Sequence, residues 1–362
     1  MLLPNTYALT MAVLLLSILC WGSWANTLKK SAWRFELFYI DFSLGTVLAS
    51  VVAAFSVGSM GTDLSVNDTF LLVGKRQIML AFAAGCIFNL ANMLLVAAIE
   101  MAGMSVAFPI GLGLALIVGV TWNYFMQSTG NAFMLFGGCL LVLLAVILTA
   151  VAHGKLEKLR RKAAKALAAS LAAEMPAEQQ APAKKKKSDE PAGPGVYRGV
   201  WLAIAAGLLM SLFYPVMGMS TEGELGISNP FAVTLLFSFG VFLSTFIYNL
   251  YFMNLPVKGL PISFFAYFTG KMSQHGLGLL GGILWMVGAC ANFAAAAAQG
   301  EAKVGTSLTF ALGHGAALLS LAWGLLVWKE FSGATGAISR LLMIVGLLFV
   351  AGLALVAIAP LN

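Results

Sequence analysis

The chain has 362 residues, of which 60% are hydrophobic and only 10% are charged, and its mean hydropathy is +0.92. One soluble core cannot bury that many apolar side chains in a chain of this length, so the composition excludes a soluble globular protein. The formal net charge is +7, from 21 Lys and Arg residues against 14 acidic residues. The composition therefore predicts a polytopic membrane protein whose cations mark the loops between its spans.

Ten apolar runs follow one another along the chain, and each is long enough to cross about 30 Å of hydrocarbon as a helix. The runs do not alternate in polarity as the strands of a membrane β-barrel do, so the predicted fold is an all-α bundle of ten transmembrane helices. The first run is taken as a retained span, because no Lys or Arg precedes it and no small residue precedes Cys20. The predicted spans are 7–26, 37–58, 77–99, 104–126, 133–152, 199–219, 231–252, 276–298, 304–328 and 337–359.

The cations are distributed unequally between the two sets of loops. Loops after odd-numbered spans hold 18 Lys and Arg residues, and loops after even-numbered spans hold 3. Since cytoplasmic loops retain Lys and Arg, both termini are expected on the non-cytoplasmic side of an inner or plasma membrane. The long central loop is expected in the cytoplasm.

This central loop, residues 153–198, separates a first five-span half, residues 1–152, from a second, residues 199–362. The loop begins as a basic sequence able to continue the fifth helix, and it ends in a segment rich in Lys, Pro and Gly that resists packing. Two interpretations stay open, a solvated linker and a tether that binds anionic lipid.

The two halves share a series of residues in the same order. Because each half has five spans, the second half is expected to be inverted relative to the first, as in transporters that work by alternating access. The matching pairs, at offsets of 200 to 202, are Asn92 and Asn292, Glu100 and Glu301, Gly111 and Gly313, Gly113 and Gly315, and Trp122 and Trp323.

Three stretches carry a resemblance to a known family: "YIDFSLG" in the second span, "GMSVAFPIGLGLALIVGV" in the fourth and "LTFALGHGAALLSLAWGLLVWKEF" in the ninth. With the ten-span plan and the inverted halves, they resemble the drug/metabolite transporter superfamily. The chain is most similar to its branch of glucose/ribose porters, proton-coupled rhamnose symporters and ureide permeases. This resemblance implies a transporter of a small polar metabolite such as a sugar or a ureide or nucleobase-like compound.

Asp41 is the only acidic residue well inside a predicted span. One interpretation is an interfacial carboxylate near the start of its helix that pairs with Lys29, Lys30 or Arg34. The other is a proton carrier, because an acid in a span is costly unless it has a partner or a function.

Seven further residues are candidates for solute binding. The amides of Asn89, Asn92 and Asn292 can bind hydroxyls or the edge of a heterocycle, and they can equally join helices. His314, the only histidine at that depth, can bind solute, carry a proton or pack. Aromatic rings stack on sugars and bases, so Trp21, Tyr214 and Trp285 complete the set, whereas Trp24 is expected in the interfacial belt.

The sequence holds no catalytic or metal-binding motif that we recognise and no soluble segment long enough for a catalytic core, so we expect neither an enzyme, a cofactor nor a metal site. The basic loop lacks the interleaved aromatics of nucleic-acid binders. We therefore predict a proton-coupled secondary transporter that works by alternating access. The alternatives are an uncoupled facilitator, a metabolite or drug exporter, and a membrane sensor or interaction protein. A homodimer is one open option.

Overall fold

The computed structural model describes residues 1–61, 63–127, 130–174, 195–304 and 306–359, and the described part is helical. Two short 3₁₀ helices, Phe264–Thr269 and Gly300–Ala302, and a π-helical segment, Trp323–Val327, interrupt the α-helices. The α-helices are α1 Tyr7–Ser23, α2 Ala25–Ser31, α3 Phe35–Phe55, α4 Val66–Leu72, α5 Lys75–Ala102, α6 Met104–Gln127, α7 Ala132–Glu174, α8 Gly195–Thr221, α9 Pro230–Asn254, α10 Met272–Ala296, α11 Thr306–His314, α12 Ala316–Ala322 and α13 Gly336–Ile358.

Ten helical segments of the described chain are long and apolar enough to cross a membrane, which confirms the predicted fold class. Each predicted run lies within or overlaps one of them. Span 1 joins α1 to α2, and span 9 joins α11, α12 and the π-helical segment. Spans 1 to 10 are Tyr7–Ser31, Phe35–Phe55, Lys75–Ala102, Met104–Trp122, Ala132–Ser170, Tyr197–Thr221, Pro230–Asn254, Met272–Ala296, Leu308–Val327 and Gly336–Ile358.

The loops fall on two opposite faces of the bundle. The loop after span 1 contacts the loop after span 7, where Arg34 donates to the Leu260 carbonyl at 2.6 Å. The basic end of α7 contacts the loop after span 9, where Arg160 donates to the Glu330 carbonyl at 2.7 Å. We name this the cation-rich face, and the opposite one the cation-poor face. On the cation-poor face, backbone hydrogen bonds run from Leu2 to Val57, from Gly74 to Leu225 and from Asn131 to Ala359.

The packed pairs of spans have counterparts in the bundle. The counterpart is found by adding five to both span numbers and counting span 11 as span 1, span 12 as span 2 and so on. Span 3 packs on span 6 as span 8 packs on span 1, and span 2 packs on span 8 as span 7 packs on span 3. Spans 4 and 6 correspond in the same way to spans 9 and 1, while span 5 packs on span 10. The contacts made by spans 1 to 5 thus have counterparts among those made by spans 6 to 10.

Small residues set the spacing at two corresponding crossings. A Cβ added to Gly85 in span 3 or to Gly240 in span 7 would lie 3.1 Å from the Cα of the other glycine, so the two backbones touch. At the crossing of spans 2 and 8, a Cβ at Gly45 would lie 3.1 Å from the backbone nitrogen of Ile283. Such close approach allows dense van der Waals packing, which is a main source of helix association in lipid.

The fifth span continues beyond the bundle as a basic helix. Helix α7 runs to Glu174, and its exposed cations begin at Lys155. At 1.5 Å per residue, the basic part of α7, residues 155–174, is roughly 30 Å long. The Lys-, Pro- and Gly-rich part of the predicted linker, residues 175–194, lies outside the described residues.

Candidate functional site

A cavity lies at the centre of the bundle, between spans 1, 3, 4, 6, 8 and 9. Its volume is about 60 Å³, which holds a few water molecules but no metabolite until the walls move. Fifteen residues line it, and eight of them are aromatic. The lining residues are Trp21, Trp24, Phe88, Asn92, Leu95, Phe108, Leu112, Met210, Phe213, Tyr214, Trp285, Asn292, Phe310, Gly313 and His314.

Two tryptophans form one wall of this cavity. The rings of Trp21 and Trp285 stack with centroids 5.9 Å apart and an angle of 25° between their planes. The indole N–H of Trp21 donates to the Trp285 carbonyl at 3.0 Å, which fixes the ring of Trp21. A Cβ at Gly313 would lie 2.9 Å from the Trp21 ring, so glycine there leaves space for the indole. The wall is thus flat, apolar and held in place.

Asn292 presents a hydrogen-bond acceptor at this site. Its Nδ2 donates to the Thr309 carbonyl at 3.4 Å. Because a carbonyl can only accept, the end of the amide that faces it is assigned as the N–H₂ group. The side-chain oxygen has no hydrogen-bond partner among the described residues, although the residue is only 1% exposed. An unsatisfied buried acceptor is costly, so a ligand N–H or O–H would relieve it.

His314 presents a second acceptor, at a break in span 9. It is the last residue of α11, and the next residue, Gly315, donates to the Leu312 carbonyl at 2.8 Å in a tighter turn before α12 begins. The Nδ1 of His314 lies 2.8 Å from the Phe310 carbonyl, which can only accept, so Nδ1 carries a proton. In the neutral ring, Nε2 is therefore the acceptor. Broken helices that line a cavity, like span 9 at this point, are a common feature of transporter sites.

Asn92 and Tyr214 add two further polar groups. One end of the Asn92 amide contacts the hydroxyl of the fully buried Tyr39 at 2.9 Å, and the residue lines the cavity. The hydroxyl of Tyr214 makes no hydrogen bond to the described residues and is available to a ligand.

Six of the seven solute-binding candidates therefore line one cavity: Trp21, Asn92, Tyr214, Trp285, Asn292 and His314. The seventh, Asn89, lies elsewhere. Its Nδ2 contacts the Val241 carbonyl at 2.9 Å and the hydroxyls of Ser244 and Thr245 at 2.8 and 3.1 Å, so it joins span 3 to span 7. The prediction for Trp24 was wrong, since it is 1% exposed and lines the cavity instead of facing the lipid interface.

Asp41 lies outside the cavity, in a separate cluster near the cation-rich face. Its carboxylate is buried, at 2% exposure, and both oxygens have partners. The Tyr267 hydroxyl donates to Oδ1 at 2.5 Å, and the Nδ1 of His275 lies 2.7 Å from Oδ2. Two of the three expected cations bind other acids, since Lys29 pairs with Glu330 and Arg34 pairs with Glu36 at 2.5 Å, and the third, Lys30, is exposed.

The Asp41 cluster and the cavity meet through span 2. Tyr39, which holds the Asn92 amide, precedes Asp41 by two residues on the same helix. Neither Tyr39, Tyr267 nor His275 was singled out in the sequence. The sequence shows that Tyr39 and Asp41 are two residues apart, but it does not show which residues of other segments contact them.

Spans 1 and 9 are joined from the cavity to the cation-rich face. We name this set of contacts the clasp. Its outermost member is the ion pair between Lys29 and Glu330, beside which the Lys29 ammonium lies 5.0 Å from the Trp328 ring centroid. The inner members are Ser320 Oγ to the Gly22 carbonyl at 2.9 Å, Trp323 Nε1 to Ser23 Oγ at 3.0 Å and Trp328 Nε1 to Asn26 Oδ1 at 2.7 Å.

Glu330 also binds the start of span 4. Its carboxylate accepts from the backbone N–H groups of Met104 and Ser105, both at 2.8 Å, and from the Ser105 hydroxyl at 2.6 Å. Burial alone would raise the pKa of Glu330, but the hydrogen bonds from Lys29 and Ser105 and the Lys29 charge outweigh it and lower that pKa. Gly103 makes this contact possible, because it has φ +87° and a Cβ there would lie 2.7 Å from the carboxylate.

A wider vestibule of about 670 Å³ lies outside the clasp, on the cation-rich face. Its lining includes Lys29, Arg34, Glu100, Arg160 and Glu330. The described structure thus has an open, charged vestibule, then a closed clasp, and then a small aromatic cavity.

Comparison with known proteins finds similarity to membrane permeases. Residues 38–198 match the model of the ureide permease family. Ureide permease 4 of Arabidopsis thaliana is 25% identical over 385 residues, covering 94% of each chain, and ureide permease 1 of the same plant is 25% identical over 375 residues, covering 95% of each. Probable ureide permease A3 of Vigna unguiculata is 23% identical over 363 residues, covering 88% of this chain and 95% of that protein. The chain is an integral multi-pass membrane protein, and the proteins it is similar to are named permeases.

Proposed function

We propose that this chain is a secondary active transporter of a small, neutral, N–H-rich solute of the ureide or nucleobase type. The observation that carries the proposal is the pair of fixed acceptors, Asn292 Oδ1 and His314 Nε2, beside the stacked rings of Trp21 and Trp285. A cyclic ureide is flat, donates several N–H bonds and accepts through its carbonyls. Such a molecule matches the acceptors and can stack on the indoles.

The chemistry of the lining favours a neutral solute of this kind over a sugar. The described lining residues include no Asp, Glu, Lys or Arg, so an ionised solute would have no opposite charge to replace its hydration. A sugar can also stack on the indoles through its C–H face and donate hydroxyls to both acceptors, but the mostly apolar lining offers few partners for its remaining hydroxyls, whereas a flat ureide ring carries fewer polar groups. The names of the similar proteins agree with this choice of solute class.

Alternating access is the mechanism that the packing supports best. The corresponding contacts of spans 1 to 5 and 6 to 10 fit the inverted repeat of the drug/metabolite transporter superfamily, in which we place the chain. The clasp then acts as the closed gate between the cavity and the cation-rich face. By the charge rule that face is cytoplasmic, so this conformation is closed toward the cytoplasm.

Proton coupling is assigned to Asp41, with His275 and Tyr267 as its immediate partners. Protonation of this carboxylate would weaken its interaction with His275 and release span 2, which also carries Tyr39. His314 is the second candidate for the proton, because it lines the cavity. Its Nε2 cannot accept from a solute once it is protonated.

One observation favours a second function, export of an organic cation. Eight aromatic rings around the cavity can attract a desolvated cation through their faces, even without an acid in the lining. A transport assay in proteoliposomes distinguishes both functions from a membrane sensor.

The test is uptake into proteoliposomes of labelled allantoin, a cyclic ureide, with uracil, glucose and tetraphenylphosphonium as comparison solutes. We expect accumulation of allantoin or uracil above the equilibrium level when a pH gradient is imposed, and none when the gradient is collapsed. Gradient-independent equilibration would indicate a facilitator, and transport of tetraphenylphosphonium alone would indicate the exporter. Binding without any flux would refute a transport role.

A further inference from the structure

The segment between spans 7 and 8, residues 260–272, exposes an unusual amount of apolar surface. Large side chains along it are well exposed: Leu260 at 81%, Phe265 at 77%, Phe268 at 68% and Met272 at 85%. The 3₁₀ helix Phe264–Thr269 has three residues per turn, so Phe265 and Phe268 lie on the same edge. A contiguous exposed apolar patch of this kind usually marks an interaction surface.

The inner side of this segment is firmly held by the protein. Arg34 donates to the Leu260 carbonyl at 2.6 Å, and the Ile262 N–H donates to the Met253 carbonyl at 3.0 Å. The ring of Tyr267 stacks on Trp33, with centroids 6.0 Å apart. The inner side of the segment is therefore already packed against the protein, and only the rings on its outer side remain exposed.

We propose that residues 260–272 form an anchor that inserts into the headgroup and acyl boundary of the bilayer on the cation-rich side and holds Tyr267 against Asp41. The segment connects the end of span 7 to the start of span 8, so it lies at the depth where these helices leave the hydrocarbon. Leu255, the residue that follows span 7, is 62% exposed, so exposed apolar side chains also precede the segment. Lys271, which is exposed at its end, can meet anionic headgroups.

The anchor is tied directly to the Asp41 cluster. Tyr267 projects from the opposite side of the same 3₁₀ helix and donates to Asp41 Oδ1. Burial, with the hydrogen bond and charge of Asp41, raises the pKa of the Tyr267 phenol, so it remains a protonated donor at physiological pH. His275 on span 8 faces the other carboxylate oxygen. The other charged residues on or next to these elements are Lys271, Arg34 and Glu36, and the last two are paired with each other.

Site-specific fluorescence tests the lipid contact independently of transport. The four native cysteines are replaced, and an environment-sensitive nitrobenzoxadiazole label is attached to Phe265→Cys in nanodiscs that contain one copy of the protein. The matched control is Ser332→Cys, an exposed position in the loop between spans 9 and 10. We expect blue-shifted emission at residue 265, quenching by shallow doxyl lipids and severalfold weaker quenching by aqueous iodide than at residue 332.

Two results would overturn the anchor. Equal iodide quenching at both positions would place Phe265 in water, and a blue shift that appears only with two copies per disc would make the surface a contact between copies. Quenching by doxyl groups deep in the acyl chain but not by shallow ones would also contradict the interfacial depth.

The link to Asp41 rests on the proposed proton role of that residue. In the double variant Phe265→Ser/Phe268→Ser we expect the pH profile of accumulation to shift in the same direction as in Tyr267→Phe, with unchanged solute affinity. If neither the double variant nor Tyr267→Phe changes the pH profile of accumulation, while doxyl lipids still quench the label at residue 265, the proton role of Asp41 is wrong and the anchor is retained. If Tyr267→Phe shifts the profile and the double variant does not, the link between the anchor and the cluster is wrong.

Discussion

Replacing Glu330 by Gln tests whether the clasp is the gate on the cation-rich face. The carboxylate accepts from Lys29 and from three donors at the start of span 4. Glutamine removes the charge and turns one acceptor into an N–H₂ group that faces donors. Lys29 keeps its contact with Trp328 and is 22% exposed, so water compensates part of the loss.

The magnitude follows from the number of charged contacts that are lost. A hydrogen bond to a charged group contributes about 1.5–3 kcal/mol, and removing one partner of a largely buried pair costs more. We expect Glu330→Gln to destabilise the closed clasp by about 2–4 kcal/mol, which is roughly a 30- to 1,000-fold change in the opening equilibrium. Glu157→Gln is the matched control, because among the described residues Glu157 forms an ion pair with the half-exposed Arg160, and a pair of that kind contributes about 0–1 kcal/mol.

The assay is maleimide labelling of Leu28→Cys, which is 6% exposed beside the vestibule, in a background without the native cysteines. Labelling should accelerate strongly with Glu330→Gln and little with Glu157→Gln. The lowered pKa of Glu330 adds a pH test: the clasp is at full strength above the ordinary value of 4.5 and weakens as the pH falls through the lowered pKa. Unchanged labelling with Glu330→Gln, measured at neutral pH in folded protein, would refute the gate.

Three further predictions concern the cavity, the proton and the topology. Asn292→Leu should lower solute affinity roughly 5- to 150-fold, measured by equilibrium binding, because a solute N–H loses a partner that contributes about 1–3 kcal/mol, whereas Asn89→Leu should lower thermal stability and spare affinity. Asp41→Asn should abolish accumulation driven by a pH gradient yet spare exchange between equal pools; if instead His314→Gln loses accumulation while Asp41→Asn keeps it, the proton site is in span 9. A reporter fused to the C-terminus should be active on the non-cytoplasmic side, and cytoplasmic activity would reverse the orientation assigned from the cations.

The fold was largely predictable because the bilayer restricts what an apolar run can do. Backbone groups in hydrocarbon must be satisfied within the segment, so a run of about 20 apolar residues becomes a helix, and ten runs give ten spans. The break at Gly315 was not predicted, since Gly occurs throughout these spans and most of them remain continuous. The alignment of repeated residues also identified positions that meet, because Asn92 and Asn292 line the same cavity.

The site was predictable only where the residue type already restricts its surroundings. A buried amide or imidazole in a span needs a partner or a cavity, which led to Asn92, Asn292 and His314. Asp41 was found for the same reason, but its partners were not, because Tyr267 and His275 belong to an amphipathic loop and a helix start where polar residues are ordinary. The sequence pointed to nearby cations, and Lys29 instead satisfies Glu330, some 300 residues away in the chain.

The arrangement of span 2 explains how a proton and a solute can be linked without a continuous chain of polar side chains. Residues 39 and 41 are two positions apart on one helix and therefore point to nearly opposite sides, Tyr39 toward span 3 and Asp41 toward span 8. A rigid displacement of the helix that parts Asp41 from His275 must also move the Tyr39 hydroxyl relative to the Asn92 amide. Linkage is reciprocal, so if protonation of Asp41 favours one position of span 2 and solute binds more tightly in one of the two positions, bound solute must change the proton affinity of Asp41 by the same free energy by which the proton changes solute affinity. A tenfold effect in either direction requires only about 1.4 kcal/mol, which is within the range of one hydrogen bond to a charged group.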